Sequence, residues 1–401
     1  MSNVFKRGLL AGVAAVALAL PATAMADVKI GFLGGFTGPI ESLTPPIADA
    51  AKLAATQIND QGGINGEKVE IVSGDTTCAD ATAAANAADR LINVEKVSAV
   101  VGALCSGATI SGANNAGIPG GAVMISPAST SPALTTLEDN DLVFRTAPSD
   151  AYQGEVLARV IKAAGVNEIA ITYVNNDYGK GFADALDAAF TGDGGTVAAK
   201  NAHEDGKADY RAELGALSSS GATALVVLAY ADGSGQTIIR QALESGDFTV
   251  FIGGDGMVSD TLPANAGGSI DGMIATRPGT PDIPGAAIYA DLAKAAGMDP
   301  AATFAAQAYD AAFILALAMQ KKGSSDREGM SAAVREVASA PGEVILPGEW
   351  DKAVKLLAEG KDINYEGASG SQEFDANGDV PGVIVEMKVE GGKFVEVGPA
   401  M

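Results

Sequence analysis

The sequence predicts an α/β protein of two similar lobes, each built around a parallel β-sheet. Short apolar segments that suit buried strands alternate with longer segments that suit helices, which is typical of parallel sheets with right-handed crossovers. The predicted strands form two sets of four, which begin at residues 28, 69, 98 and 123 and at residues 168, 196, 224 and 250. A chain of 401 residues is also long enough for two domains.

The first lobe begins with a predicted strand at residues 28–33. Pro45 and Pro46 suit the first turn of the following helix, and Gly62 with Gly63 favours its end near residue 60. The next elements are a strand at 69–72, an Ala-rich helix at about 79–94, a strand at 98–102, a short helix after Ser106 and a strand at 123–125. This order predicts one helix between each pair of successive strands.

The second lobe follows the same order, with helices predicted near residues 154–164, 181–189, 210–217 and 236–244. After Thr276 three prolines mark an irregular segment, and further helices are predicted near 285–296, 300–321, 327–338 and 349–358. A β-hairpin of residues 383–389 and 394–397 is expected to follow, with Gly391 and Gly392 in its turn. Because open parallel sheets bind ligands beyond the carboxyl ends of their strands, the cleft between the lobes is the expected site.

The first 26 residues have the plan of a secretory signal peptide. Lys6 and Arg7 form its positive start, and residues 24–26 read Ala-Met-Ala, a typical cleavage sequence. The apolar run at residues 8–20 is shorter than the about 20 residues that a membrane-spanning helix needs, although an uncleaved anchor is the alternative. We expect cleavage after Ala26 and no lipid anchor, because Asp27 rather than a cysteine follows the cut.

The composition excludes several classes of protein. Hydrophobic residues make up 47% of the chain and charged residues 19%, which is too apolar for a disordered protein. One His and two Cys cannot supply a His-rich metal site, a Cys₄ zinc site or an iron–sulfur cluster, so no cofactor is expected. The formal net charge of −23 argues against nucleic acid as a partner, because phosphate binding needs a positive face.

The common catalytic motifs are missing from the sequence. It contains no G-x-G-x-x-G dinucleotide motif, no P-loop and no G-x-S-x-G nucleophile elbow. His203 lies in a polar stretch after a predicted strand, where a solvated loop residue is a simpler interpretation than a general base. Residues 375–379 hint at a calcium loop, but their glycine falls at position 4 instead of position 6, so a plain turn is favoured. We therefore do not expect an enzyme.

Three segments place polar groups at the carboxyl ends of predicted strands. Residues 102–109 open a helix at Ser106, whose free N–H groups suit a carboxylate, with an ordinary helix cap as the alternative. Residues 126–132 are rich in hydroxyl groups and stiffened by two prolines, with a structural turn as the alternative. Residues 253–256 are glycines around Asp255, whose carboxylate suits an ammonium group, with an Asx-type turn as the alternative.

Export also bears on the two cysteines of the sequence. An oxidising compartment favours a disulfide bond between Cys78 and Cys105, which would close a loop of 28 residues. In the chain-entropy model a loop of this length stabilises the fold by about 3–4 kcal/mol. Two buried free thiols are the alternative.

Several segments together resemble the periplasmic leucine/isoleucine/valine-binding protein family. They are the signal peptide, the first strand, residues 62–66 (GGING), the two cysteines, residues 126–130 (SPAST) and residues 374–379 (FDANGD). The resemblance covers essentially the whole chain after residue 26 and implies a type I periplasmic binding fold, in which three segments join two Rossmann-like lobes. Residues 27–146 with 278–343 are then expected to form lobe 1, and residues 147–277 with 344–401 are expected to form lobe 2.

The resemblance also implies which residues hold a ligand. Ser106 and nearby N–H groups are expected to bind an α-carboxylate, and Ala128 is expected to offer its carbonyl to an α-ammonium group. Thr130 is expected to contact both charged groups next to Ser129, and Asp255 is expected to pair with the ammonium group. Together these residues would clamp a zwitterion at both of its charged ends.

Aromatic residues of the second lobe are expected to cover the ligand. Tyr178 and Tyr230 match such positions, and Phe304 is a further candidate for the side-chain pocket, with a place in a helix core as the alternative. One segment departs from the family, which places an aromatic residue near the ligand after residues 38–40, whereas residues 41–44 of this chain contain none. The resemblance thus implies that the residues that bind the two charged groups of the ligand are retained, whereas the pocket for its side chain is altered.

The function that the resemblance implies is that of a periplasmic solute-binding protein of an ABC importer. It would bind an α-amino acid, branched-chain or similarly aliphatic, by hinge closure and would present it, as a monomer, to a membrane permease. A receptor or sensor subunit for amide, urea or aromatic acid ligands is the first alternative. A secreted enzyme that uses Asp255 or His203 is the second. Nucleic acid and direct membrane insertion are not expected.

Overall fold

The structure, a computed structural model, describes residues 27–400, so the predicted signal peptide and its cleavage site lie outside the described residues. Helices and strands alternate along the chain, and most strands gather in two large sheets. The predicted α/β class with two parallel-sheet lobes is confirmed. Among residues 27–400, no helix combines the length and the apolar character needed to cross a membrane.

The elements have the following bounds within residues 27–400. The strands are β1 (Val28–Gly34), β2 (Val69–Asp75), β3 (Ala99–Gly102), β4 (Met124–Ser126), β5 (Val143–Arg145), β6 (Glu168–Val174), β7 (Thr196–His203), β8 (Ala224–Leu228), β9 (Val250–Gly253), β10 (Ile274–Pro278), β11 (Glu343–Ile345), β12 (Ile363–Tyr365), β13 (Ile384–Glu390) and β14 (Lys393–Pro399). The α-helices are α1 (Thr44–Asp60), α2 (Ala81–Asp89), α3 (Ser106–Gly112), α4 (Asp150–Ala163), α5 (Asp177–Gly192), α6 (Arg211–Ser218), α7 (Ser234–Ser245), α8 (Thr261–Asn265), α9 (Pro284–Ala295), α10 (Ala305–Lys322), α11 (Met330–Ala338) and α12 (Trp350–Ala358). Short π-helical turns extend α2 and α3, at Arg90–Val94 and Ala113–Gly117.

The sheet of lobe 1 has five parallel strands in the order β2-β1-β3-β4-β5. Its first four strands, including the three-residue β4, begin within one residue of the predicted positions, whereas the three-residue β5 was not predicted. The strand order switches direction between β1 and β3. The carboxyl ends of these two strands therefore flank the crevice in which such sheets bind ligands.

The sheet of lobe 2 repeats this order. Its parallel strands lie in the order β7-β6-β8-β9-β10, and the antiparallel hairpin β13-β14 extends the sheet beside β10. The four predicted strands begin where expected, and the predicted hairpin is confirmed. Here the strand order switches between β6 and β8, which places residues 174–178 and 228–234 at the edge of a second crevice.

The chain passes between the sheets at residues 146–149 and 279–283, and the segment after β10 then returns to lobe 1. Residues 350–372 pack on α10: Trp350 contacts Phe313 edge-to-face at 5.8 Å, and Asp310 accepts hydrogen bonds from Tyr365 OH at 2.7 Å and Ser369 N at 2.8 Å. The sequence predicts that residues 344–401 belong to lobe 2. These contacts instead support a third crossing near residue 380, just before β13.

His203 differs from its predicted environment. It is the last residue of β7 and is buried, whereas the sequence suggested a solvated loop residue. Its ring nitrogens lie 2.7 Å from Thr172 Oγ1 and 3.0 Å from Ser234 Oγ, and burial lowers its pKa to about 4. The ring is therefore a neutral group held between two hydroxyl groups, and its place is structural.

Candidate ligand-binding site

A mostly apolar cavity lies between the lobes, at the carboxyl ends of the strands. Its empty volume, including the part that is open to solvent, is about 350 Å³. Lobe 1 contributes Ile40, Leu43, Ile47, Leu104, Cys105, Ser106, Ala128 and Phe304, and lobe 2 contributes Tyr178, Tyr230, Asp255 and Gly256. Both lobes thus form one site beside the two switches in strand order, as expected for open α/β sheets.

The start of helix α3 forms part of the lobe 1 wall. Cys105, the residue before the helix, is extended, and its predicted disulfide bond to Cys78 is present. Ser106 is the first residue of α3 and is buried, and its Oγ accepts a hydrogen bond from Ser131 N at 3.2 Å. Its own O–H proton can therefore be donated to a ligand, beside the free N–H groups of the first helical turn.

Hydrogen bonds within lobe 1 fix the loop at residues 126–131. Ser126 Oγ donates to Ala103 O at 2.5 Å and accepts from Ser129 N at 3.0 Å. Ser129 Oγ lies 2.8 Å from Thr109 Oγ1, so its hydroxyl supports the loop from behind. Ala128 instead lines the cavity. The loop therefore presents main-chain groups to the cleft while its serine side chains hold it in place.

Arg145, a residue that the sequence did not single out, holds the same loop. Its side chain is buried, and Nη1 donates to Thr130 O and Ser131 O at 2.9 Å each. Its Nε and Nη2 donate to the two carboxylate oxygens of Asp379 at 2.7 and 2.8 Å. Asp379 closes the predicted turn, in which Asp375 Oδ1 accepts from the N–H groups of residues 377 and 379. The segment that hinted at a calcium loop thus presents a carboxylate to Arg145.

Asp255 follows β9 and is the charged group of the lobe 2 wall. Its carboxyl is buried, and Oδ1 accepts hydrogen bonds from Gln153 Nε2 at 3.1 Å and from Tyr178 OH at 3.2 Å. Burial raises the pKa of Asp255 to about 7, while the hydrogen bonds from Tyr178 and Gln153 act in the opposite direction. A cation in the cavity would favour the ionised form, so this carboxyl suits an ammonium group.

Two stacked tyrosines cover the cavity from lobe 2. The ring centroids of Tyr178 and Tyr230 are 5.2 Å apart, with 20° between the ring planes. Tyr178 OH also accepts a hydrogen bond from Gly256 N at 3.2 Å, and Asn176 Nδ2 donates to Tyr230 OH at 3.4 Å. Burial raises the pKa of both phenols, so both are neutral and form a fixed aromatic wall.

A second buried carboxyl lies close to Asp255. Asp150 is the first residue of α4, is fully buried, and donates its N–H to Thr130 O at 2.7 Å. Within residues 27–400, both of its carboxyl oxygens, Thr130 Oγ1 and Gln153 Oε1 have no hydrogen-bond partner. No sequence signal separates Asp150 from an ordinary acidic residue in the first turn of a helix, where such residues are favourable.

Direct hydrogen bonds join the lobes across the cleft. Asp232 of lobe 2 accepts from Ser42 N at 2.8 Å through Oδ2 and from Thr261 Oγ1 at 2.8 Å through Oδ1. Its own N–H donates to Pro39 O at 3.2 Å, and Ser42 Oγ lies 2.9 Å from Ser259 Oγ. The structure is therefore a closed form, in which the segment after β1 touches the opposite lobe.

Most residues that the sequence singled out surround one cavity. Six of them line it, namely Ser106, Ala128, Tyr178, Tyr230, Asp255 and Phe304. Ser129 and Thr130 are buried next to these residues: Ser129 Oγ contacts Thr109, and the Thr130 carbonyl oxygen accepts from Arg145 and from the N–H of Asp150.

The apolar wall of the cavity was missed in the sequence. Ile40, Leu43, Ile47 and Leu104 belong to it, and Leu43 lies in the segment that lacks the expected aromatic residue. Because aliphatic residues in these positions look like ordinary core residues, their pattern carries no sign of a ligand.

Known proteins resemble this chain over most of its length. The family model described as periplasmic binding protein matches residues 27–353. The chain belongs to the periplasmic binding protein family. This result confirms the resemblance drawn from the sequence motifs.

Two relatives of this periplasmic binding protein come from Pseudomonas aeruginosa. An amino acid binding protein is 31% identical over 358 residues, which are 87% of this chain and 93% of the relative. A leucine-, isoleucine-, valine-, threonine-, and alanine-binding protein is 30% identical over 337 residues, which are 84% and 88% of the two chains. Among solved structures, the leucine-binding protein LivK of Thermotoga maritima is 27% identical, with a TM-score of 0.79 over 93% of this chain and 98% of that chain. Each of these relatives is named for binding rather than for catalysis.

Proposed function

We propose that this periplasmic binding protein carries an aliphatic α-amino acid of branched-chain size to the membrane permease of an ABC importer. One observation supports this most. A mostly apolar cavity between the lobes has a buried carboxyl group, Asp255, on one wall and hydrogen-bond donors at Ser106 on the other. A small zwitterion with an apolar side chain is the class of ligand that satisfies all three features.

The charged ends of such a ligand need partners because most of the residues that line the cavity are apolar. The ligand's ammonium group would pair with the Asp255 carboxylate and the Ala128 carbonyl. Its carboxylate would accept from the Ser106 hydroxyl, the N–H groups at the start of α3 and the N–H of Thr130. Unpaired charges in such a place would cost several kcal/mol, so both ends of the clamp are required.

The apolar wall sets the class of side chain. The apolar wall of the cavity is formed by Ile40, Leu43, Ile47, Leu104 and Phe304. Asp255 is the one charged residue among the cavity-lining residues that the structure describes, and the ligand's ammonium group would already pair with it. A lysine or glutamate side chain would find no partner there, whereas a leucine or isoleucine side chain would gain about 25 cal/mol for each Å² of buried apolar surface.

Closure of the cleft would couple binding to transport. The proposed ligand binds first to one lobe, and the other lobe then closes over it, as in hinge-type binding proteins. The contacts of Asp232 with Ser42 and Pro39 form only when the lobes meet. The closed surface is then the form that a permease would recognise. This step of the proposal is supported by the family of the chain and by the solute-binding names of its relatives.

A ligand panel tests the proposal. Ligand-stripped protein is heated with aliphatic, aromatic and charged amino acids, with amides and urea, and with aromatic acids. We expect the aliphatic amino acids to stabilise the protein most, because a ligand at 100 times its Kd adds about 2.7 kcal/mol. A shift only with urea, amides or aromatic acids would instead favour the receptor alternative. Recovery of a chemically altered ligand would favour an enzyme.

Two variants test the clamp. Asp255→Asn removes the counter-charge of the ammonium group, and Thr130→Val removes a hydroxyl next to the carboxylate position. Each is expected to weaken binding by about tenfold or more in calorimetry. Asp260→Asn is the matched control, because Asp260 is exposed and five residues from Asp255. Unchanged affinity in both Asp255→Asn and Thr130→Val would contradict the assignment.

We also propose that the protein is exported and that its mature chain begins at Asp27. The first 26 residues support this through their sequence alone. Edman sequencing of protein from a periplasmic extract is expected to begin at Asp27. Detection of the intact Met1 end in that fraction would contradict cleavage.

A further inference from the structure

Ser131 joins the two lobes beside the binding cavity. It is fully buried, and its Oγ donates a hydrogen bond to the main-chain oxygen of Asp177 at 2.8 Å. Asp177 is the first residue of α5 in lobe 2, whereas Ser131 ends the loop at residues 126–131 in lobe 1. A carbonyl oxygen has two lone pairs, so Asp177 O can accept this bond in addition to one within its helix. The bond can form only when the lobes meet.

The main chain of Ser131 is fixed on the lobe 1 side. Its N–H donates to Ser106 Oγ at 3.2 Å, and its carbonyl oxygen accepts from Arg145 Nη1 at 2.9 Å. Arg145 is buried and paired with Asp379, so this support is itself held in place. The position of Ser131 relative to Ser106, the proposed donor to the ligand's carboxylate, is therefore set within lobe 1.

The residues around Asp177 form the aromatic wall of lobe 2. Tyr178 stacks on Tyr230 and donates to Asp255 Oδ1 at 3.2 Å. Asn176, the residue before α5, donates to Tyr230 OH at 3.4 Å. A bond to Asp177 therefore fixes where this wall stands relative to lobe 1.

A glycine permits the close approach of α5 to the loop of lobe 1. A Cβ atom at Gly181 would lie 2.9 Å from Pro132 Cδ and 2.9 Å from Ser131 Oγ. Carbon atoms in contact prefer about 3.5–4.0 Å, so both distances are clashes. The Pro132 ring cannot rotate away as a flexible side chain could. Gly181 lies inside α5 with a negative φ, so its missing side chain serves the contact and not the backbone of the helix.

We propose that the contact of Ser131 with α5 sets the closed position of the cleft. Ser131 is a positioning residue, because its N–H holds Ser106 while its hydroxyl holds the aromatic wall that carries the bond to Asp255. Gly181 allows the two lobes to come that close. Among the residues that the structure describes, neither Ser131 nor Gly181 lines the cavity, so both act through closure. This inference rests on the proposed function, because it assigns the contact that completes the amino-acid clamp.

Two glycines of the same helix give a matched test. Gly192 is the last residue of α5, is exposed, and a Cβ there would meet no atom of the described chain within 4 Å. Gly181→Ala is expected to bind L-leucine about tenfold more weakly in calorimetry, because the added methyl group keeps the lobes apart. Gly192→Ala is expected to bind like the wild type. Equal affinities of the two variants would overturn the proposal.

Stability and kinetics separate a closure effect from damage to the fold. Alanine favours a helix more than glycine does, so urea unfolding of both variants, followed by circular dichroism, should occur at or above the wild-type midpoint. The loss in Gly181→Ala should lie in the dissociation rate of L-leucine, because the first contact with one lobe is unchanged. A slower association with an unchanged dissociation rate would contradict the proposal.

Ser131→Ala tests the hydrogen bond. This variant keeps the N–H that binds Ser106 but loses the hydroxyl that reaches α5, so about fivefold weaker binding is expected. The double variant Ser131→Ala/Gly181→Ala should lose less affinity than the product of the two single losses, because both changes act on one contact. Independent losses would show that the two residues do not share a role and would overturn the proposal.

These measurements give distinguishable failures. If L-leucine binds the wild type but Gly181→Ala binds it as well as Gly192→Ala does, the inference fails and the proposed function stands. If no aliphatic amino acid binds the wild type, the proposed function fails, and the variants are compared with the panel ligand that does bind, since the contact does not involve the ligand's side chain. If no ligand of the panel binds, both fail.

Discussion

Replacing Arg145 by methionine is expected to lower the free energy of unfolding by about 3–5 kcal/mol. The Arg145 side chain is 1% exposed and donates hydrogen bonds to Asp379, Thr130 and Ser131. Methionine fills a similar apolar volume but donates no hydrogen bond, so the Asp379 carboxylate and two loop carbonyls lose their donor. The magnitude follows because removing one partner of a buried ion pair leaves the other charge uncompensated.

Urea-induced unfolding followed by tryptophan fluorescence measures this loss. Trp350 is the only tryptophan of the sequence, is buried, and packs on Phe313 of α10, so its fluorescence reports on lobe 1. Arg211→Met is the matched control. Arg211 forms ion pairs with Asp209 and Glu244 but is 58% exposed, so its loss is expected to cost less than about 1 kcal/mol.

The double variant Arg145→Met/Asp379→Asn separates two effects of losing Arg145: the unpaired charge of Asp379 and the lost hydrogen bonds to the loop at residues 126–131. Neutralising Asp379 removes the unpaired carboxylate, so the double variant should recover about 1–3 kcal/mol of the loss. The loop at residues 126–131 still lacks the guanidinium group, so weaker binding of L-leucine is expected in both variants. A loss no larger than that of Arg211→Met, or no recovery in the double variant, would refute the reasoning.

Three other changes probe the disulfide bond, the pocket for the ligand's side chain and the closed form. Replacing Cys78 and Cys105 by serine should lower the free energy of unfolding by about 3–4 kcal/mol, since their bond closes a loop of 28 residues; equal urea midpoints with and without the bond would contradict this. Leu43→Ala should increase the affinity for L-phenylalanine relative to L-leucine, because Leu43 lines both the binding cavity and a neighbouring cavity that contains Arg277. Competition calorimetry measures that ratio, and an unchanged ratio would show that Leu43 does not divide the two spaces. Asp232→Ala should weaken L-leucine binding about five- to tenfold, because the closed form loses its hydrogen bond to a main-chain N–H of lobe 1; small-angle scattering should show fewer closed molecules at a subsaturating ligand concentration.

The sequence predicted long elements well and short ones poorly. Strands and helices with several periods of apolar residues were placed within a few residues, because their pattern repeats. The strands β5, β10, β11 and β12, of three to five residues, carry no such repeat and were missed, although the three-residue β4 was predicted. The start of α10 shows a local effect: Phe304 precedes it with a φ of 63°, so the helix begins at Ala305, five residues later than predicted.

The polar part of the candidate site was easier to predict than the rest. Ser106 and Asp255 lie within four residues of the carboxyl ends of β3 and β9, and the topology of parallel sheets brings such positions together. Arg145 was missed because its importance depends on Asp379, which lies 234 residues away in the sequence. The third crossing was misplaced for a similar reason, since only the contacts of α10 show that residues 350–372 belong with lobe 1.

The division of the clamp between the lobes links ligand binding to closure. Ser106 and the loop at residues 126–131 lie on lobe 1, whereas Asp255 lies on lobe 2, so the proposed counter-charge of the ammonium group comes from a different lobe than the proposed donors to the carboxylate. In the closed form burial raises the pKa of Asp255 to about 7, so an ionised and unpaired Asp255 is unfavourable in this form. A bound ammonium group removes this penalty. At neutral pH the ligand therefore favours the closed form, whereas a lower pH, which protonates Asp255, should favour closure without ligand.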